Sequence, residues 1–130
     1  MRYGVWLLSM SMLPAGCPSL WPDGRVCTTL FAYGVSVYLT DAASGEPVAE
    51  ATLTLVDGDY AEVMEFIPTG AYVGAGERKG TYTLTIEVPG RPIVTVNDIV
   101  VRHDGCHVIG VSFDAVVEAD QVVVTRRPSD

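Results

Sequence analysis

The sequence predicts an all-β protein, an antiparallel β-sandwich of about seven strands that follows an N-terminal signal segment. Three observations carry this expectation. Apolar and polar residues alternate with a period of two through most of the chain, turn-forming clusters interrupt the alternation about every dozen residues, and no segment keeps helical spacing over three turns. One sheet alone would leave its apolar face wet, so two packed sheets follow.

Residues 1–16, MRYGVWLLSMSMLPAG, carry one charge at Arg2, then an apolar run from Tyr3 to Leu13, then small residues. This is the layout of a signal peptide, and the run is well short of the ~20 apolar residues a spanning helix needs. Residues 17–30 mix prolines, glycine and polar residues with neither period and read as a tether.

From there the period is two. Val35, Val37 and Leu39 alternate with Ser36, Tyr38 and Thr40; Ala51, Leu53 and Leu55 alternate with Thr52 and Thr54; Tyr82, Leu84, Ile86 and Val88 alternate with Thr81, Thr83, Thr85 and Glu87. These are half-buried strands. Further strands are expected over 60–66, 71–74, 93–101 and 106–117, with bulges near Asn97 and Gly110 where the alternation slips. The intervening DAASGEP, VDGD, PTG, GAGERKG, VPGRP and HDG hold the residues that supply special backbone angles. The sandwich is placed at 31–120, with 121–130 as a tail able to extend an edge strand.

Composition excludes some functions. The chain has 130 residues, enough for one domain, and 48% hydrophobic residues, enough for a packed core. Its formal charge is −8, and Arg78-Lys79 and Arg126-Arg127 are isolated basic pairs. Nucleic acid, which needs a basic stripe, is not an expected partner.

Ala15-Gly16-Cys17, ending the apolar segment, resembles the lipobox of bacterial lipoproteins, with Pro14 where that pattern has a branched aliphatic residue. The resemblance implies acylation of Cys17, a membrane anchor through the N-terminal lipid, and a cell-envelope location, periplasmic or outer-surface. Strand 35–40 followed by TDAASGEPVAEATLTL, then GAYVGAGERKGTYTLTIEVPG, then DGCHV, resembles the carboxypeptidase regulatory-like domain over about residues 27–117. That resemblance implies a prealbumin-like (transthyretin-like) β-sandwich serving as an accessory module without catalytic residues or cofactor.

With Cys17 acylated, Cys27 and Cys106 remain as an even pair in an oxidising compartment, and a disulfide between them is expected to staple both ends of the sandwich. The remaining motifs carry little chemistry. His103, Cys106 and His107 in RHDGCHV invite a metal or nucleophile reading, but on an extended strand the histidines lie ~13 Å apart and Cys106 and His107 face opposite ways. GAGERKG lacks the GK[ST] ending and the helix of a phosphate loop, so a tight turn with solvated Arg78 and Lys79 is expected. The turn carboxylates Asp41, Glu46, Asp57, Asp59, Asp98 and Asp104 do not form the ladder that calcium requires. The Tyr-Arg-Gly-Ser ending of the hydroxyisourate hydrolases is absent, and two histidines four apart do not fit the iron site of intradiol dioxygenases.

No metal, cofactor or catalytic residue is therefore expected. Two roles remain: a spacer or docking module with a protein partner, or a module binding glycan or peptide on a platform of Tyr38, Tyr60 and Tyr72. Rings gathered on one face favour the second; dispersed or buried rings favour the first.

Overall fold

The computed structural model describes residues 27–128. Residues 1–16, read from the sequence as a signal peptide, and Cys17 lie outside them. The described residues form β1 (Tyr33–Asp41), β2 (Thr52–Asp57), β3 (Tyr60–Val63), β4 (Glu65–Ile67), β5 (Ala71–Gly76), β6 (Gly80–Glu87), β7 (Val94–His103), β8 (Val108–Ile109), β9 (Val111–Val117) and β10 (Val122–Arg126). They make two five-stranded sheets, β10-β9-β1-β5-β4 and β3-β2-β6-β7-β8, packed as a sandwich. Pairing is antiparallel except between β1 and β9, which run parallel from Val35↔Val111 to Asp41↔Val117.

The alternation decides which side chains face the core. Val35, Val37 and Leu39 of β1 meet Leu53, Leu55, Leu84 and Ile86 of the facing sheet, all wholly buried. Their partners Ser36, Thr54, Thr83 and Thr85 are only partly buried, which is the pattern of a half-buried strand. Each such apolar side chain contributes about 1.5–3 kcal/mol on leaving water.

Ten strands stand where about seven were expected, because two of the expected segments are each cut in two and the tail adds a strand of its own. Segment 60–66 is cut at Met64, whose N–H donates to the Leu53 carbonyl at 2.8 Å. There the chain leaves β3 in one sheet and starts β4 in the other. Segment 106–117 is cut at Gly110 in the same way, since β8 pairs with β7 but β9 pairs with β1. A Cβ at Gly110 would sit 2.9 Å from the Tyr33 carbonyl oxygen, so glycine lets the crossing chain pass close to β1. Gly110 is thus a change of sheet rather than a bulge. The other expected irregularity is a true bulge: Tyr82 pairs with Ile99 and Leu84 with Val96, leaving Asn97 and Asp98 opposite Thr83 alone.

The tail extends a sheet edge, as its sequence allowed. Residues 122–126 are β10, the edge strand of one sheet, paired with β9 from Val122↔Val117 to Arg126↔Phe113. Val122 is buried against the core, so the sandwich does not end near residue 120.

Candidate functional site

The end of the sandwich at which β1 begins holds a connected group of polar contacts. β5 ends there at Gly76, β7 ends at His103, and the turns 57–60 and 77–79 lie beside them. A disulfide joins Cys27 to Cys106, with their Cα atoms 5.1 Å apart, as the cysteine count led one to expect. It ties the chain just before β1 to the loop between β7 and β8.

His107 reinforces the staple. Its Nδ1 lies 2.7 Å from Glu77 Oε1, and its Nε2 lies 2.9 Å from the Thr28 carbonyl and 3.0 Å from the Thr28 hydroxyl. Glu77 in turn clamps Ala32: its carboxylate accepts the Ala32 N–H at 2.7 Å and its own N–H donates to the Ala32 carbonyl at 2.8 Å. The ring is therefore set between a carboxylate and a carbonyl, and only the doubly protonated imidazolium can donate to both. The hydrogen bond to Glu77 holds His107 above its ordinary 6.5, against a smaller opposing effect of desolvation. His107 and then the Ala32 N–H hold Glu77 below its ordinary 4.5.

The loop geometry corrects the strand assumed for RHDGCHV. Residues 104–107 form a turn, not an extended segment: the Asp104 N–H donates to the His107 carbonyl at 3.0 Å, and Asp104 Oδ1 accepts the N–H groups of Cys106 and His107, both at 2.8 Å. Those two bonds lower the Asp104 pKa. Cys106 precedes β8 by two residues rather than opening a strand. His103 Nδ1 accepts the Gly105 N–H at 2.9 Å, so the two histidines are used in different local contacts. Among the described residues no three His, Cys, Asp or Glu side chains are grouped to hold a metal ion.

Phe31 completes the clasp by packing on Gly76, where a Cβ would collide with its ring, and edge-on against Tyr33 at 5.1 Å between centroids. Next to it stands Arg78, expected to be solvated and in fact half-buried. Its guanidinium lies 3.7 Å from the centre of the Tyr60 ring, and Nη1 donates to Asp57 Oδ2 at 3.0 Å and to the Tyr82 hydroxyl at 2.9 Å. The Tyr82 hydroxyl donates back to the Arg78 carbonyl at 2.8 Å. Glu62, on the inner side of β3 opposite Leu55, accepts from the Tyr60 hydroxyl at 3.0 Å and the Ala75 N–H at 2.8 Å.

The three candidate platform tyrosines are not brought together. Tyr72 is 2% exposed in the core, its hydroxyl donating to the Val48 carbonyl at 2.7 Å and accepting the Ala51 N–H at 3.3 Å. Burial raises its pKa. Tyr60 belongs to the other sheet, under Arg78. Tyr38 is on the outer side of β1, covered by Arg127 at 3.8 Å from its ring centre, with Arg127 itself gripped by Asp114 at 2.7 and 2.8 Å. Two of the rings have cations over them and the third is inside, so they offer no shared stacking face.

Sequence reasoning missed Glu77 and Glu62 as organising residues. For Glu62 a signal existed: in YAEVMEF it shares the parity of Tyr60, Met64 and Phe66, a glutamate on the apolar side of the alternation. For Glu77, inside an ordinary turn, no local signal was present. The chain is a disulfide-stapled β-sandwich whose N-terminal approach is clasped to both sheets. No family model matches this chain, and no match is found among the curated proteins.

Proposed function

We propose that this chain is a non-catalytic, exported lipoprotein, a β-sandwich accessory module held at a membrane by an acyl group on Cys17. The observation that carries the reading is the Cys27–Cys106 disulfide, since such bridges persist in oxidising compartments outside the cytosol. It uses two of three cysteines and leaves Cys17, at the end of the apolar segment, as the remaining thiol. Acyl chains there contribute about 0.8 kcal/mol per buried methylene to membrane attachment.

The clasp fits that role mechanically. A pull on the tether at Cys27 passes through sulfur to the β7–β8 loop of one sheet, and through Ala32, held by Glu77, to β1 at the centre of the other. Load on an anchor is thus shared between the sheets before any strand peels. The resemblance to carboxypeptidase regulatory-like domains supports a spacer or docking role, and the separated tyrosines favour it over a tyrosine platform for glycan or peptide.

Mass spectrometry of the mature protein tests the proposal. The expected species begins at an acylated Cys17 and carries the 27–106 bridge, and Cys17→Ser releases it from membranes. An intact Met1 with reduced Cys27 and Cys106 refutes export.

A further inference from the structure

A sandwich exposes sheet edges, and natural edges are blunted against pairing by shortness, charge or bulges. Here β4 has three residues and contains Glu65, β3 has four, and β8 has two. Beyond β8 the edge of β7 is broken by the Asn97–Asp98 bulge, where Asp98 has φ 57°. β10 is different. Its five residues pair with β9 in unbroken register, its first three are Val122, Val123 and Val124, and Val123 is 40% exposed.

The direction of its free polar groups is fixed. The Arg127 N–H donates to Ser112 at 2.8 Å and the Gln121 carbonyl accepts from Glu118 at 2.8 Å, so these odd-numbered residues point toward β9. By alternation, Val122, Val124 and Arg126 turn their N–H and C=O groups to the open edge. The charges at its ends are opposite. Asp120 stands in the β9–β10 turn, two residues before the strand, and Arg126 closes the strand; neither side chain has an ion-pair or hydrogen-bond partner among the described residues.

We propose that the protein forms a two-fold dimer by antiparallel pairing of β10 with β10 of a second copy, Asp120 of each protomer facing Arg126 of the other. The dyad falls at Val123. This register sets Val122 opposite Val124 of the second copy, both with polar groups on the free edge, so backbone bonds form in each direction. It places the exposed Val123 side chains against each other as a non-hydrogen-bonded pair, whose Cβ atoms approach to ~4.5–5.5 Å. Shifting the centre to Val124 leaves Asp120 beside Pro128 and Arg126 beside Val122, which loses both ion pairs. The interface is isologous and closes on itself, so it stops at two copies. It does not depend on acylation of Cys17.

Cysteine cross-linking in the full-length chain tests the register. Val123→Cys is expected to give a covalent dimer on a non-reducing gel at twice the protomer mass, and Thr125→Cys at least ~10-fold less, because its two copies lie ~13 Å apart across the dyad. Unsubstituted protein under the same conditions accounts for any cross-link through Cys17. In the Val123→Cys background, Asp120→Arg is expected to reduce dimer at least ~10-fold, and adding Arg126→Asp to restore it. All these positions are exposed, and circular dichroism melting checks that each variant folds. Equal cross-linking at 123 and 125, none at 123, or failure of the charge exchange to restore the dimer overturns the proposal.

Discussion

Removing the Cys27–Cys106 bridge by the double substitution Cys27→Ser and Cys106→Ser tests how the clasp stabilises the fold. Every strand pairing lies between Tyr33 and Arg126, so the native ladders survive the substitution and the loss falls on the denatured chain, which gains freedom. The bridge closes a loop with a sequence separation of 79. In the chain-entropy relation a loop of that size gives about 4.5 kcal/mol at 25 °C. Residual structure in the denatured chain brings the expected loss to roughly 3–4.5 kcal/mol. At about 4–8 °C per kcal/mol for a domain near 100 residues, Tm falls by roughly 12–36 °C. Urea unfolding followed by circular dichroism should show a lower midpoint and a larger m value, because the uncrosslinked denatured chain is more expanded. Reduction of the unsubstituted protein should reproduce the shift. A double variant within ~1 kcal/mol of the parent would show that the approach segment is held by the His107 contacts alone and that the loop argument fails.

Four further outcomes follow from the same structure. His107 is raised above 6.5, so its contribution is complete below that pH and is lost as pH rises through the raised value; Glu77 is lowered below 4.5, so its contribution is present above 4.5 and is lost as pH falls through the lowered value. The stability difference between the parent and His107→Gln is therefore largest between about pH 4.5 and 6.5, and a difference that grows above pH 8 in thermal melts contradicts the pairing. Tyr72→Phe removes the hydroxyl that serves Val48 and Ala51 and should cost about 1–3 kcal/mol in chemical denaturation, whereas Tyr38→Phe, on the outer face, should cost under ~0.5. Gly110→Ala presses a methyl against the Tyr33 carbonyl and should cost about 1–3 kcal/mol, with no loss expected if the crossing were loose. Leu84→Ala empties a wholly buried position between the sheets and should cost about 2–5 kcal/mol in the same assay.

Much of the fold was legible because strand alternation is a local property. Val35, Val37 and Leu39 declare a buried face whichever strand they pair with, and the Thr81–Thr85 positions declare the wet one. Turns were equally legible, since Gly45, Gly58, Gly70, Gly90 and Gly105 all take the positive φ that turn chemistry assigns to glycine. The site was less so. Arg78 in GERKG looks like any exposed turn cation, and only the approach of Asp57 and Tyr60 from the β2–β3 hairpin, beside Tyr82 four residues on, draws it into a cluster.

Local pattern thus sufficed for the class of fold, most strand positions and the bulge at Asn97, and it pointed to the pairing of Cys27 with Cys106 once Cys17 was set aside as acylated. That pattern left undetermined that the chain changes sheets at Met64 and Gly110, that β9 lies parallel to β1, that β10 is the edge beside β9, and that Glu77 meets His107. The reason is physical: a side chain's face is set by its immediate neighbours along the strand, whereas a hydrogen bond between residues 30 positions apart depends on how both sheets close over one core.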